Sequence, residues 1–137
     1  MSGKVLRARP VRWKRHIMRS VLIVEDHPAV REALAETFFG WGYSVTTAGT
    51  IEDAAVEVDR GIFGLVLTDV DLAGVACVEW IRSLGVSHPG LAVIIMSGRF
   101  GARDVFADGF EPGNRRRYLK NPFLLSQLQT VVAELES

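Results

Sequence analysis

Three short, almost unbroken apolar runs, each ending abruptly in polar side chains, constrain this chain more than any other feature. Val21 to Val24 ends in Glu25 and Asp26, Phe63 to Thr68 ends in Asp69, and Leu91 to Met96 ends in Ser97. A strand that is apolar at successive positions has no face for solvent, so such runs belong in a sheet covered on both sides. Between them the period changes to that of helices. Val30, Leu34, Phe38 and Trp41 recur at spacings of three and four, Pro28 suits a first helical turn, and Gly40 and Gly42 stop the helix. Thr50 with Asp53 resembles a capping box for a helix reaching about Arg60. Val78, Ile81 and Leu84 mark a third helix closed by Gly85, and Leu124, Leu128, Val131 and Leu135 give the stripe of a C-terminal one. Tyr43 to Ala48 alternates in strand fashion, and Arg117 to Lys120 supplies a further strand. Residues 98 to 114 carry four glycines and only a weak helical stretch near Arg103 to Phe110.

Strands alternating with helices predict an α/β fold, a doubly wound five-stranded parallel sheet with helices on both faces. In the flavodoxin-like strand order 2-1-3-4-5, the three apolar runs are neighbours. Their ends then bring Glu25, Asp26, Asp69 and Ser97 together, at the carboxyl edge where ligands gather in such folds. The 137 residues suffice for one such domain, expected over residues 20–137.

The formal net charge of zero conceals an asymmetry. Residues 1–19 hold seven cations and no acid, leaving nine cations against sixteen acids in the rest. They read as a basic, solvated and poorly ordered arm, and nucleic acid is not expected as its partner. The arm lacks the apolar stretch of a secretory signal, and the apolar runs are too short to span a bilayer, so the expected place is the cytoplasm, with no membrane partner. The single cysteine, Cys77, excludes an intramolecular disulfide and reads as a small buried hydrophobe.

Three carboxylates at the rim of an apolar sheet repel one another, at about 5 Å and an effective dielectric near 20 by roughly 3 kcal/mol per pair. A cation relieves that cost. Few oxygen ligands suit Mg²⁺, which keeps several waters and binds through one or two carboxylates plus phosphate. One carboxylate is then available as a nucleophile toward a phosphoryl group. If Glu25 and Asp26 only capped the helix that follows, neither the acid ending a separate strand nor the hydroxyl ending the next would be explained.

Leu22, Ile23, Val24, Glu25, Asp26, His27, Pro28 resembles the opening of response-regulator receiver domains, the CheY-like superfamily of two-component signalling. Leu67, Thr68, Asp69, Val70, Asp71, Leu72 resembles their phosphoacceptor segment. Ile94 to Gly98 matches the strand ending in Thr or Ser, and Tyr118 to Phe123 matches the closing segment. The resemblance covers residues 20 to 136. It implies a phosphoacceptor switch rather than an enzyme. Asp69 would take a phosphoryl group from a histidine kinase or a histidine phosphotransfer protein. Glu25 and Asp26 would hold Mg²⁺ with Asp69 and the Asp71 carbonyl. Ser97 would move to bond the phosphoryl group, and Tyr118 would rotate inward with it, altering a protein-docking face. Tyr118 also reads as an ordinary edge-strand aromatic, and the Asp71 side chain as solvated.

The chain departs from the family where lysine should precede Pro122, because Asn121 stands there. Lys120 is one residue early, and strand alternation sends it to the opposite face unless a bulge shifts the register. Arg99 offers a second candidate for the missing cation. Ala73 and Cys77 replace a usual proline and glycine. Two readings stand. One is a single-domain regulator or relay protein, since no output domain follows the last helix. The other is a degenerate receiver that binds partners without phosphate. A nucleotide- or flavin-binding α/β protein lacks support, because no GxGxxG or GxxxxGK[ST] loop follows the first apolar run.

Overall fold

The computed structural model describes residues 3, 5–6, 19–70, 75–98 and 115–136. Asp71, Ala73, Arg99 and the weak helical stretch near Arg103 to Phe110 lie outside them. The strands are β1 (Val5–Leu6), β2 (Ser20–Val24), β3 (Ser44–Ala48), β4 (Leu65–Asp69), β5 (Ala92–Ser97) and β6 (Arg116–Lys120). The described helices are α1 (Pro28–Gly40), α2 (Ile51–Arg60), α3 (Val75–Ser87) and α4 (Leu125–Glu136). Hydrogen bonding orders the sheet β1-β3-β2-β4-β5-β6. With β1 set aside this is the expected order 2-1-3-4-5, and each of the three apolar runs forms a strand. Contacts divide the chain inside β4 into two units, Met1–Leu67 and Thr68–Ser137.

In the first unit every residue of β2 is buried, and β2 runs parallel to β3 from Ser20↔Ser44 to Val24↔Ala48. Phe38 of α1 is fully buried and meets the edges of Trp41 and Tyr43, each with ring centroids 5.1 Å away. Gly42, at φ +92°, turns the chain from α1 into β3 through a conformation that costs glycine little. The buried stripe of α1 is Leu34, Ala35 and Phe38, whereas Val30 is exposed. At about 100° per residue the arc runs from Leu34 through Phe38 to Ala35, leaving Val30 beyond its margin. The Thr50 hydroxyl accepts the Asp53 N–H at 3.1 Å, as the capping pattern predicts.

Within the basic arm, Gly3, Val5 and Leu6 are described. Val5 and Leu6 pair antiparallel with β3, opposite Thr46 and Val45. Gly3 lies so close to β3 that a Cβ there would run into the Thr47 carbonyl. Two residues carry no readable period, so a strand this short leaves no signal in sequence.

In the second unit all six residues of β5 are buried, and β6 runs parallel to it without a break from Val93↔Arg116 to Ser97↔Lys120. Helix α3 continues through Gly85 to Ser87, two residues further than expected. The His88 N–H closes it on the Leu84 carbonyl at 2.8 Å, and Pro89 disfavours a further turn. In α4 the buried stripe is Leu128, Val132 and Leu135. Val131 falls at its margin, and Leu124 precedes the helix and is exposed, its N–H donating to Gln127 Oε1 at 2.7 Å.

Candidate functional site

The candidate residues sit where strands end, and each unit positions its own. In the first, the Glu25 N–H donates to the Ala48 carbonyl at 3.0 Å, continuing the β2–β3 ladder one residue past β2. The Glu25 side chain is buried, and its Oε2 accepts the His27 N–H at 3.0 Å. Asp26, the next residue, is exposed. From α1, Arg31 Nη1 donates to the Glu25 carbonyl at 2.9 Å. The same atom occupies the space a Cβ on Gly49 would need, 2.9 Å from that position. Glycine at 49 therefore leaves room for the guanidinium that holds the acidic pair's backbone. Neither Arg31 nor Gly49 stood out in the sequence, because a side chain bonding a main-chain carbonyl belongs to no motif.

In the second unit Asp69 ends β4 half-buried, after a Thr68 that is wholly buried. The Val70 N–H donates to the Met96 carbonyl at 2.8 Å, which sets the end of β4 beside the end of β5. Ser97, 1% exposed, is the last residue of β5, and its carbonyl accepts the Asn121 N–H at 2.8 Å. Asp69, Ser97 and Asn121 are thus linked through main-chain bonds at the ends of three adjacent strands. Cys77, in the first turns of α3, is fully buried as expected. It is not only a hydrophobe, because its thiol donates to the Asp69 carbonyl at 3.2 Å.

The β5–β6 register contains no extra residue up to Lys120, so no bulge brings Lys120 round to the face of Asn121. Lys120 is exposed and Tyr118 half-buried. Arg116, two residues before Tyr118 and hence on the same face of β6, is buried. Burial lowers its guanidinium pKa below the ordinary range, and the field of Tyr118 opposes that shift.

Among the described residues no three or more His, Cys, Asp or Glu side chains cluster closely enough to cage a metal. Mg²⁺ does not ask for such a cage, since one or two carboxylates and water suffice. Exposed Asp26 and half-buried Asp69 are oxygen ligands of the kind it takes.

The sequence profile of the response regulator receiver domain matches residues 21–133. The chain belongs to the response regulator receiver family. Among curated receiver-containing proteins, the response regulator protein FleR of Pseudomonas aeruginosa is 32% identical over 113 residues, covering 82% of this chain and 24% of that protein. The DNA-binding transcriptional regulator NtrC of a Bradyrhizobium strain is 30% identical over 115 residues, covering 82% and 23%. The sensor kinase CckA of Brucella abortus is 32% identical over 118 residues, covering 85% and 12%. The chain therefore spans about a quarter or less of these relatives' length. Receiver structures share its fold. That of the HemR receiver domain from Leptospira biflexa, non-phosphorylated, has a TM-score of 0.74 at 24% identity, covering 86% of this chain and 94% of that one. That of the response regulator TrrA from Thermotoga maritima, in complex with Mg²⁺ and BeF, has a TM-score of 0.72 at 23% identity, covering 85% and 98%. Receivers of two-component systems take phosphoryl groups from histidine kinases or phosphotransfer proteins. Among the described residues no helix is long and apolar enough to cross a membrane.

Proposed function

We propose that this receiver, taken as residues 20–137 behind the basic arm, is a cytoplasmic phosphoacceptor switch in which Asp69 takes the phosphoryl group. In that transfer an Asp69 carboxylate oxygen bonds to phosphorus as the P–N bond of a donor phosphohistidine breaks, and the departing imidazole nitrogen takes up a proton. Glu25, Asp26, Asp69 and the Asp71 carbonyl would hold Mg²⁺, the two residues of the acidic pair directly or through water. When bound, the ion neutralises phosphoryl oxygens during transfer. The Ser97 hydroxyl bonds the phosphoryl group, the Asn121 amide donates a further uncharged hydrogen bond, and Tyr118 follows Ser97 to change a protein-docking face.

The observation that carries this reading is the 2.8 Å bond from the Val70 N–H to the Met96 carbonyl, which sets the acceptor's strand end against the strand end bearing the Ser97 hydroxyl. The test is intact-mass measurement after treatment with acetyl phosphate and Mg²⁺. One added phosphoryl group is expected, absent in Asp69→Asn. Labelling of that variant would overturn the assignment of Asp69.

A second reading, a receiver that binds its partner without needing phosphate, is favoured by Asn121 and by the unbulged register that leaves Lys120 exposed. Arg99 is the remaining candidate for the missing cation. If Arg99→Ala slows phosphorylation in the natural chain but not beside Asn121→Lys, Arg99 has taken that role. If neither Arg99 nor Lys120 affects phosphorylation, the site works without a lysine equivalent.

A further inference from the structure

We infer that Cys77 is a positioning residue for the phosphoacceptor, acting through the peptide bond that follows Asp69; the inference rests on Asp69 being the acceptor. That peptide unit has one donor and one acceptor, and both are engaged. Its N–H, on Val70, donates to the Met96 carbonyl at 2.8 Å. Its C=O, on Asp69, accepts the Cys77 thiol at 3.2 Å. A plane held at both ends cannot rotate, and its orientation fixes ψ of Asp69 and with it the direction in which the side chain leaves the strand.

The thiol is itself held. Thr68 Oγ1 lies 3.9 Å from Cys77 Sγ, and since the thiol proton is committed to Asp69, the Thr68 hydroxyl is left as donor to sulfur. Both side chains are fully buried, so no water competes for either bond. Helix α3 is thereby tied to the acceptor's main chain through one side chain. A glycine, the usual residue of receivers at this position, has no atom with which to make the tie, so the device belongs to this chain.

The chain contains a single cysteine, which makes the bond directly observable. The infrared S–H stretch of the full chain reports Cys77 alone and should lie below its position in the same chain unfolded in denaturant. Phosphorylation by acetyl phosphate with Mg²⁺ is then timed in wild type, Cys77→Ser, Cys77→Ala and Cys77→Gly, with thermal melts to establish that each is folded. Loss of one weak hydrogen bond predicts phosphorylation slower by about threefold in the Ala and Gly variants, restored in Cys77→Ser, which keeps a donor. The Gly variant serves if the Ala variant does not fold, because receivers accommodate glycine there. An S–H band at the unfolded position, or equal rates in wild type and the Gly variant, overturns the role of Cys77 alone. A wild-type chain that takes no phosphoryl group, with its S–H band displaced, overturns the acceptor reading and the role given to Cys77 together.

Discussion

The Asn121 N–H donates to the Ser97 carbonyl at 2.8 Å, so in the proposed switch the residue taken to stand in the family lysine's place is joined by its own main chain to the serine proposed to bond the phosphoryl group. On that proposal Asn121 stands in the lysine's place without its charge. A charge-assisted hydrogen bond is worth roughly 1.5 to 3 kcal/mol. Asn121→Lys should accordingly bind the phosphoryl mimic beryllium fluoride, with Mg²⁺, tenfold or more tightly, on the order of 1.4 kcal/mol per factor of ten. Amide shifts near Ser97 and Tyr118 on binding should grow in parallel. Lys120→Ala, on an exposed side chain in unbroken register, should leave both unchanged.

Arg31 and Gly49 should behave as one unit. Arg31→Met removes the bond to the Glu25 carbonyl, at a cost of about 0.5 to 1.5 kcal/mol. Gly49→Ala brings a Cβ to 2.9 Å from Arg31 Nη1, so the flexible guanidinium must shift, and should cost no more than that bond. The double variant should then lose clearly less than the two single losses added together, as measured by urea unfolding. Additive losses would mean that Gly49 serves its turn and not Arg31.

Phe38 tests the packing of the first unit. Phe38→Ala removes a fully buried ring and both edge-on partners at 5.1 Å, predicting a loss of about 3 to 5 kcal/mol in chemical denaturation. Val30→Ala, in the same helix but exposed, should fall within about 0.5 kcal/mol of wild type.

The arm contributes through few residues. In Gly3→Val the new side chain meets the Thr47 main chain, which cannot yield, so β1 should leave β3. Amide exchange at Val45, whose N–H faces β1, should quicken, while exchange at Thr46, whose N–H faces β2, and in β5 stays as it was. A chain beginning at Met18 should show the same change and melt within a few degrees of the full chain. Unchanged exchange at Val45 would contradict the pairing of Val5 and Leu6 with β3.

What the sequence made legible follows from what each feature rests on. Strands β2, β4 and β5 were readable because burial on two faces leaves them almost wholly apolar, and the polar residues ending them marked the edge of the candidate site. Asp69 and Ser97 could be named for the same reason, whereas Asn121 was named from the resemblance of Tyr118 to Phe123 to the family's closing segment. Helix faces were less secure: Val30 and Leu124 keep the spacing of their stripes yet lie outside the buried arcs, because a period says which residues share a face and not where the arc ends. Side chains that bond main-chain atoms, such as Arg31 and Cys77, left no pattern. For Cys77 a signal existed in the thiol replacing a usual glycine eight residues after Asp69, but only the bond to the Asp69 carbonyl suggests a purpose for that replacement.

The pairing of β1 also bears on how copies of this chain behave toward one another. Without it, β3 would offer its five residues, Ser, Val, Thr, Thr and Ala, as a bare row of N–H and C=O groups, rich in β-branched residues and free of charge. Such a row is a template on which another chain can add a strand. With β1 in place the described part of the outermost strand is Val5–Leu6. A second copy therefore finds part of the β3 edge already taken, because Val5 and Leu6 stand opposite Thr46 and Val45.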